Sequence, residues 1–139
     1  MKRIIALLAV ALVGLAACSQ RQPAPGSYAI TTDAGRKEIH IIHGDCVAFN
    51  LEDPDGQMLA SVGPFEKKGR YPRYTYRYRQ GGSDFTITAS FTDGAIDARL
   101  CGRLVWGSNT IDLETTKPLT FTLTVEDTAN FQQTDLDNN

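Results

Sequence analysis

The stretch best equipped for chemistry is Lys67-Lys68-Gly69-Arg70-Tyr71-Pro72-Arg73-Tyr74-Thr75-Tyr76-Arg77-Tyr78-Arg79, with six basic side chains, four tyrosines and no acid. Guanidinium groups offer a rigid fork of donors that grips carboxylates and phosphates bidentately. Tyrosines beside them on one surface would make a stacking platform for single-stranded nucleic acid. On a strand, however, residues two apart share a face and neighbours oppose. Tyr74, Tyr76 and Tyr78 then point one way, and Arg73, Thr75, Arg77 and Arg79 the other. The chain's formal net charge of −2 supplies no general attraction for nucleic acid. Nucleic acid is therefore not an expected partner.

What remains is a basic, polar sheet face. Arg73, Thr75, Arg77, Thr88 and Arg99 are the candidate partner-binding residues, suited to an anionic protein surface or an anionic glycan. Lys67, Lys68 and Arg70 flank them. Arg79 and Arg103 are expected to be engaged by Asp84 and Glu114 directly across. Catalysis has no comparable signal: Gly-x-Ser-x-Gly, His-Glu-x-x-His and glycine-rich phosphate loops are all missing from the sequence. Asp45 near His43 is a closely spaced base and carboxylate, a loop-end pair of the kind that is usually solvated. His40, His43, Cys46 and Cys101 form the one metal-like set, but His40 and His43 lie on opposite faces of a strand. A non-enzymatic protein with no metal and no cofactor is the expectation.

The elements that must carry this face announce themselves through turns. Gly81-Gly82 is a two-residue hairpin signal. Counting outward pairs Tyr78 with Phe85, Tyr76 with Ile87 and Tyr74 with Ala89 on one face, and Arg79 with Asp84, Arg77 with Thr86 and Thr75 with Thr88 on the other. Asp93-Gly94 independently pairs Phe91 with Ile96, Ala89 with Ala98 and Ile87 with Leu100. Ser108-Asn109 predicts Trp106 opposite Ile111, Leu104 opposite Leu113 and Arg103 opposite Glu114. A slip of one residue would turn every side chain over, so agreement between turns marks one buried face. Upstream, Asp53-Pro54-Asp55-Gly56 predicts Leu51 opposite Met58, Phe49 opposite Ala60 and Val47 opposite Val62. Residues 27–32, 37–43 and 119–125 supply further strands, the last with Leu119, Phe121, Leu123 and Val125 on one face.

About nine strands result, each apolar on one face. Such strands must close on themselves or stack as two sheets. The fold class is all-β: a small antiparallel β-barrel or β-sandwich with a four-strand meander.

The N-terminus does not belong to that fold. Lys2 and Arg3 precede an unbroken apolar run over residues 4–17, shorter than the ~20 residues a membrane-spanning helix needs. It ends Leu15-Ala16-Ala17-Cys18, and these residues resemble the lipobox of bacterial lipoprotein precursors. The resemblance implies cleavage before Cys18, acylation of its thiol and amine, and firm anchoring by several acyl chains. Ser19 after the cysteine implies the outer membrane, facing the periplasm. Residues 1–17 are then a signal peptide, 18–27 a lipidated cysteine with a flexible tether, 28–126 the β domain and 127–139 an acidic, disordered tail. In an exported protein, Cys46 and Cys101 are expected to form a disulfide.

Gly69-Arg70-Tyr71, the tyrosine strand and Gly81-Gly82 are also similar in outline to membrane-bound inhibitors of c-type lysozyme, small β-barrel lipoproteins. Lys68 stands where those inhibitors carry the serine they insert into the enzyme. The functional expectation is a lipid-anchored envelope lipoprotein whose β domain binds a protein or anionic partner, alone or as an accessory part of an envelope assembly. The alternative implied by the resemblance is an inhibitor or immunity protein against a lysozyme-like hydrolase. The lipobox makes a direct demand. Mass spectrometry of the mature protein finds an acylated Cys18 as residue one, and Cys18→Ala releases the chain from the membrane; a mature protein that begins elsewhere without lipid refutes it.

Overall fold

The computed structural model describes residues 22–127, all of whose regular elements are antiparallel strands. Residues 1–21, which carry the expected signal peptide and Cys18, and the expected tail from residue 128 to 139 lie outside the described residues. Ten strands run in chain order: β1 (Gly26–Thr32), β2 (Gly35–Ile42), β3 (Asp45–Glu52), β4 (Met58–Val62), β5 (Glu66–Arg70), β6 (Arg73–Gln80), β7 (Ser83–Thr92), β8 (Ala95–Trp106), β9 (Asn109–Asp112) and β10 (Leu119–Glu126). They form a single sheet ordered β4-β3-β2-β1-β10-β8-β7-β6-β5, with β9 alongside β8. The long β8 pairs with β7 along one edge and serves two neighbours on the other: Ala95 to Ala98 pair with β10, and Arg103 to Trp106 with β9.

The two ends of the strand order, β4 and β5, are consecutive in sequence and joined by residues 63–65 alone. In that link the Phe65 N–H bonds the Cys46 carbonyl at 3.0 Å, tying the bend to the start of β3. Gly63 is required there, because a Cβ would meet the Val47 carbonyl oxygen at 2.2 Å. From Phe65 the chain turns to pair with β6, and its ring lies 5.5 Å from Phe85 and 5.4 Å from Tyr78. Phe49 of β3 meets Phe85 of β7 at 5.6 Å, so distant members of the sheet face each other across one core. Room for Phe85 comes from Gly102 opposite it, where any Cβ would lie 2.7 Å from the Phe85 Cα. The Tyr76 hydroxyl, buried here, donates to the Gly44 carbonyl at 2.8 Å.

Around Gly81-Gly82 and Asp93-Gly94 every predicted pair is present. Two other hairpins shift by two residues, and upstream two apolar residues leave the predicted face: Val47 falls in a bulge between Cys46 and Ala48 and is half-buried, and Met58 stands opposite Glu52, 54% exposed. At residues 53–57 the Asp53 carboxylate accepts the N–H groups of Asp55 and Gln57, and Asp53 and Gln57 close the turn. A bulge then sets Leu51 opposite Ala60 and Phe49 opposite Val62. After β8 the tight turn is Gly107-Ser108, so Trp106 opposes Asn109, Leu104 opposes Ile111 and Arg103 opposes Asp112. Val125 does not share the face of Phe121. A bulge on β10 places Val125 beside Ser27, outward and 61% exposed, while the Thr124 hydroxyl donates to the Ser27 carbonyl.

No disulfide joins Cys46 and Cys101. Cys46 points into the core and Cys101 outward from β8, so the sheet itself separates the two thiols. The described part of the expected tether, residues 22–27, lies on the domain: Pro23 is buried, and the Ala24 and Pro25 carbonyls accept bonds from the Tyr28 hydroxyl and the Asp127 N–H. Phe85→Ala empties the centre of the aromatic cluster and should cost about 3–5 kcal/mol in urea unfolding, whereas Arg99→Ala on the outer face should stay within about 0.5 kcal/mol. Equal losses would show that the two faces are wrongly assigned.

Candidate functional site

On the outer face of β5–β8 the ladder arranges polar side chains in rows, because residues directly opposite share a face. One row runs Arg70, Arg73, Ser90, Asp97 and, on β10, Thr120. The next runs Lys68, Thr75, Thr88 and Arg99. A third holds Glu66, Arg77, Thr86 and Cys101. All five predicted partner-binding residues are therefore brought together on one surface, with Arg73, Arg77 and Arg99 exposed and Thr75 and Thr88 half-buried.

Their charges are not equally available. Arg77 reaches diagonally to Asp84, with its guanidinium 3.3 Å from the carboxylate. Arg79, the expected partner of Asp84, is left with a 3.9 Å contact and a 71% exposed side chain. Arg103 does not meet Glu114; its Nε–H donates to the Gly82 carbonyl at 3.3 Å. Among the described residues, Arg70, Arg73 and Arg99 form no ion pair. Arg70 and Arg73 stand directly across from each other, an arrangement of like charges that opposes strand pairing. Asp97 is the one carboxylate in the two rows that hold these three arginines, and it already accepts the Thr120 hydroxyl at 2.7 Å.

Between these groups lies a depression of about 330 Å³, lined by Arg73, Thr88, Ser90, Asp97, Arg99 and Pro118. A larger hollow of about 430 Å³ sits at the β1–β2 and β3–β4 turns, but its charges are spent internally. Arg36 there bonds Glu38 at 2.8 Å and approaches Glu52 at 3.9 Å, and Asp53 is occupied by backbone N–H groups. In the β6–β8 depression, by contrast, neither Arg73 nor Arg99 is held by a carboxylate among the described residues.

Sequence reasoning missed a second cluster. Ser27 Oγ lies 2.8 Å from His40 Nδ1, and His40 Nε2 lies 3.3 Å from the Asp127 carboxylate. The tautomer with its proton on Nε2 satisfies all three groups at once. The Ser27 hydroxyl belongs to a residue only 8% exposed, so the chain acts as a clasp between β1, β2 and the end of β10. Only the Ser27–His40 pairing across the first hairpin had a local signal; Asp127 arrives from the far end of the chain.

The remaining sequence candidates are dispersed. Gly69 and Arg70 end β5 and Tyr71 opens the turn to β6, with the Tyr71 ring stacked near Phe91 at 6.4 Å. Lys67 is held by Asp45 at 2.9 Å and lies over the Tyr74 ring. Compared with protein-family models, curated proteins and solved structures, the chain matches none.

Burial pushes the Cys46 thiol far above its usual range, with its Sγ–H directed at the Ala48 carbonyl. The Cys101 thiol is raised as well, by desolvation and by the Glu114 carboxylate 3.6 Å away, yet it stays open to solvent. Thiolates are the reactive form, and access decides the contrast here. Iodoacetamide on the native chain should modify Cys101 slowly and spare Cys46, with both modified after denaturation. Peptide mapping checks this; a native chain in which neither thiol reacts until a reductant is added would restore the disulfide.

Proposed function

We propose that this protein is a lipid-anchored lipoprotein of the bacterial cell envelope whose β domain binds an anionic envelope partner and catalyses no reaction. The anchor is the acylated Cys18, in the outer membrane and facing the periplasm. The domain is a barrel closed through the bend at residues 63–65, where one stretch of chain leaves β3 for β6. The binding surface is the outer face of β6–β8, centred on Arg73 and Arg99 and bordered by Thr75, Thr88 and Arg70.

One observation carries the reading. Arg70, Arg73 and Arg99 cluster on a rigid sheet without carboxylate partners among the described residues, in a chain whose net charge is −2. Solvated arginines on a net-acidic domain ordinarily find acids nearby, as Arg77 and Arg36 do. Leaving two of them opposed across a ladder costs stability that a bound anion would return. Arg77, held by Asp84, then belongs to the rim of the surface.

Placement along the sheet agrees. Pro118, at the depression, leads into the start of β10, while Glu126 at its other end pairs with Gly26, where the chain enters from the anchor side. Eight residues of strand separate the two by roughly 26 Å. An anchored domain would hold its cationic face away from the end that leads to the lipid.

A cation-exchange matrix tests the surface directly. The full chain, solubilised in a polyoxyethylene detergent at pH 7 and low salt, should be retained on a sulfonate matrix despite its net negative charge. Arg73→Ala with Arg99→Ala should abolish retention and leave the melting temperature unchanged within about 2 °C. Unaltered retention of the double variant, or passage of the parent protein, would overturn the reading.

A further inference from the structure

We infer that the depression between Arg73 and Arg99 is a subsite for a single sugar unit bearing an anionic substituent, a phosphate or a carboxylate. This rests on the anionic-partner reading above and narrows it to a ligand chemistry. An anionic protein surface would need cations alone, spread widely. The lining here is mixed and compact.

Arg73 and Arg99 stand on β6 and β8, two inter-strand spacings apart, on the order of 10 Å. Arg73 stands directly across from Ser90 and Arg99 directly across from Thr88, with β7 between the two arginines, and all four residues line the depression. Two forked cations and two hydroxyls suit the oxygens of one phosphate or carboxylate. Asp97 does not fit a pure anion site, since its charge would repel the ligand. One of its oxygens accepts the Thr120 hydroxyl, and the second is free to accept a further donor. A sugar supplies such donors as ring hydroxyls beside its charged group. Pro118 forms the remaining wall, an apolar ring suited to the C–H face of a pyranose. The volume, about 330 Å³, sits at the small end of the ~300–1,000 Å³ typical of small-molecule sites, so it takes one unit and leaves the rest of a longer glycan along the face.

Rigidity favours recognition over loose attraction. Thr88 and Ser90 belong to β7, the most regular strand of the sheet, whose inner side chains alternate without a break from Ser83 to Phe91. The Thr120 contact fixes the Asp97 carboxylate from the β10 side. Three neighbouring strands thus carry the acceptor, the hydroxyls and both arginines at set backbone spacings.

The experiment is a titration of the ¹⁵N-labelled full chain, in the same sugar-free detergent, with glucose 1-phosphate, glucuronate, glucose, inorganic phosphate and hexaglutamate. The expected result is saturable shifts at Thr88, Ser90 and Asp97 with glucose 1-phosphate or glucuronate, at least tenfold tighter than with glucose or phosphate. Arg73→Ala with Arg99→Ala should weaken that binding at least tenfold. Asp97→Asn should bring the affinities for glucose 1-phosphate and inorganic phosphate together, weakening the first and leaving the second equal or tighter. Equal affinity for phosphate and both anionic sugars in the parent protein would overturn the inference and leave a plain anion site. Tighter binding of hexaglutamate than of any sugar would overturn it in favour of an acidic protein surface, with the anionic-partner reading intact. Failure of every probe, on a protein still retained by the sulfonate matrix, would overturn the subsite alone; failure of retention as well removes both.

Discussion

Everything in this molecule depends on the unbroken alternation of β7. Across Ser83–Thr92 each second side chain is buried, and both flanking strands copy the phase. A pleated strand cannot send two successive side chains to the same side, so placing Phe85, Ile87, Ala89 and Phe91 in the core commits Thr86, Thr88 and Ser90 to the outside. The partners follow: Tyr74 and Tyr76 go inward because they oppose Ala89 and Ile87, and Arg73 and Arg99 go outward beside Ser90 and Thr88. The hydrophobic gain from the aromatic cluster is therefore also what orients the cations. A domain with one face to bury gets its polar face as the geometric remainder.

That remainder is not uniform, and pairing chemistry divides it. Asp84 sits within reach of two arginines and bonds the diagonal one, Arg77, more closely than Arg79, which is directly across. Arginine side chains are long enough for diagonal neighbours on a sheet to compete with direct ones. The consequence is a surface with a neutralised flank at Arg77 and an open centre at Arg73 and Arg99. Such exposed pairs contribute little to folding, on the order of 0–1 kcal/mol, so their value lies in which charges they leave unmatched.

The sheet's irregular places do the remaining work. The bend at residues 63–65 lets one stretch serve β3 and then β6, with the Phe65 N–H taken by Cys46 so that no buried donor is orphaned at the corner. The bulge that turns Val125 outward also brings Asp127 to His40 and Ser27, clasping the first strand to the last. Both chain ends of the domain thus leave from one side, opposite the depression by the length of β10. Bulges recur where strands must change partner or direction, and here they separate entry, clasp and site.

The sequence alone determined the strands from β6 to the first half of β8, residue by residue. Two-residue glycine turns leave no freedom of register, and alternating aromatic and basic residues leave no freedom of face. It therefore also determined which arginines lie outside. Tertiary structure decided what local pattern cannot encode. A five-residue turn braced by Asp53, and bulges at Leu59 and Thr124, shift pairing or face without altering the apolar pattern that reveals a strand. The two cysteines suggested a bond from composition and compartment, yet face parity places one thiol in the core and the other in solvent. Which arginine Asp84 selects, and that Asp127 returns to His40, are contacts set by side-chain reach and by the meeting of chain ends distant in sequence. They exist only once the sheet has curled, because no interaction between neighbours along the chain can specify them.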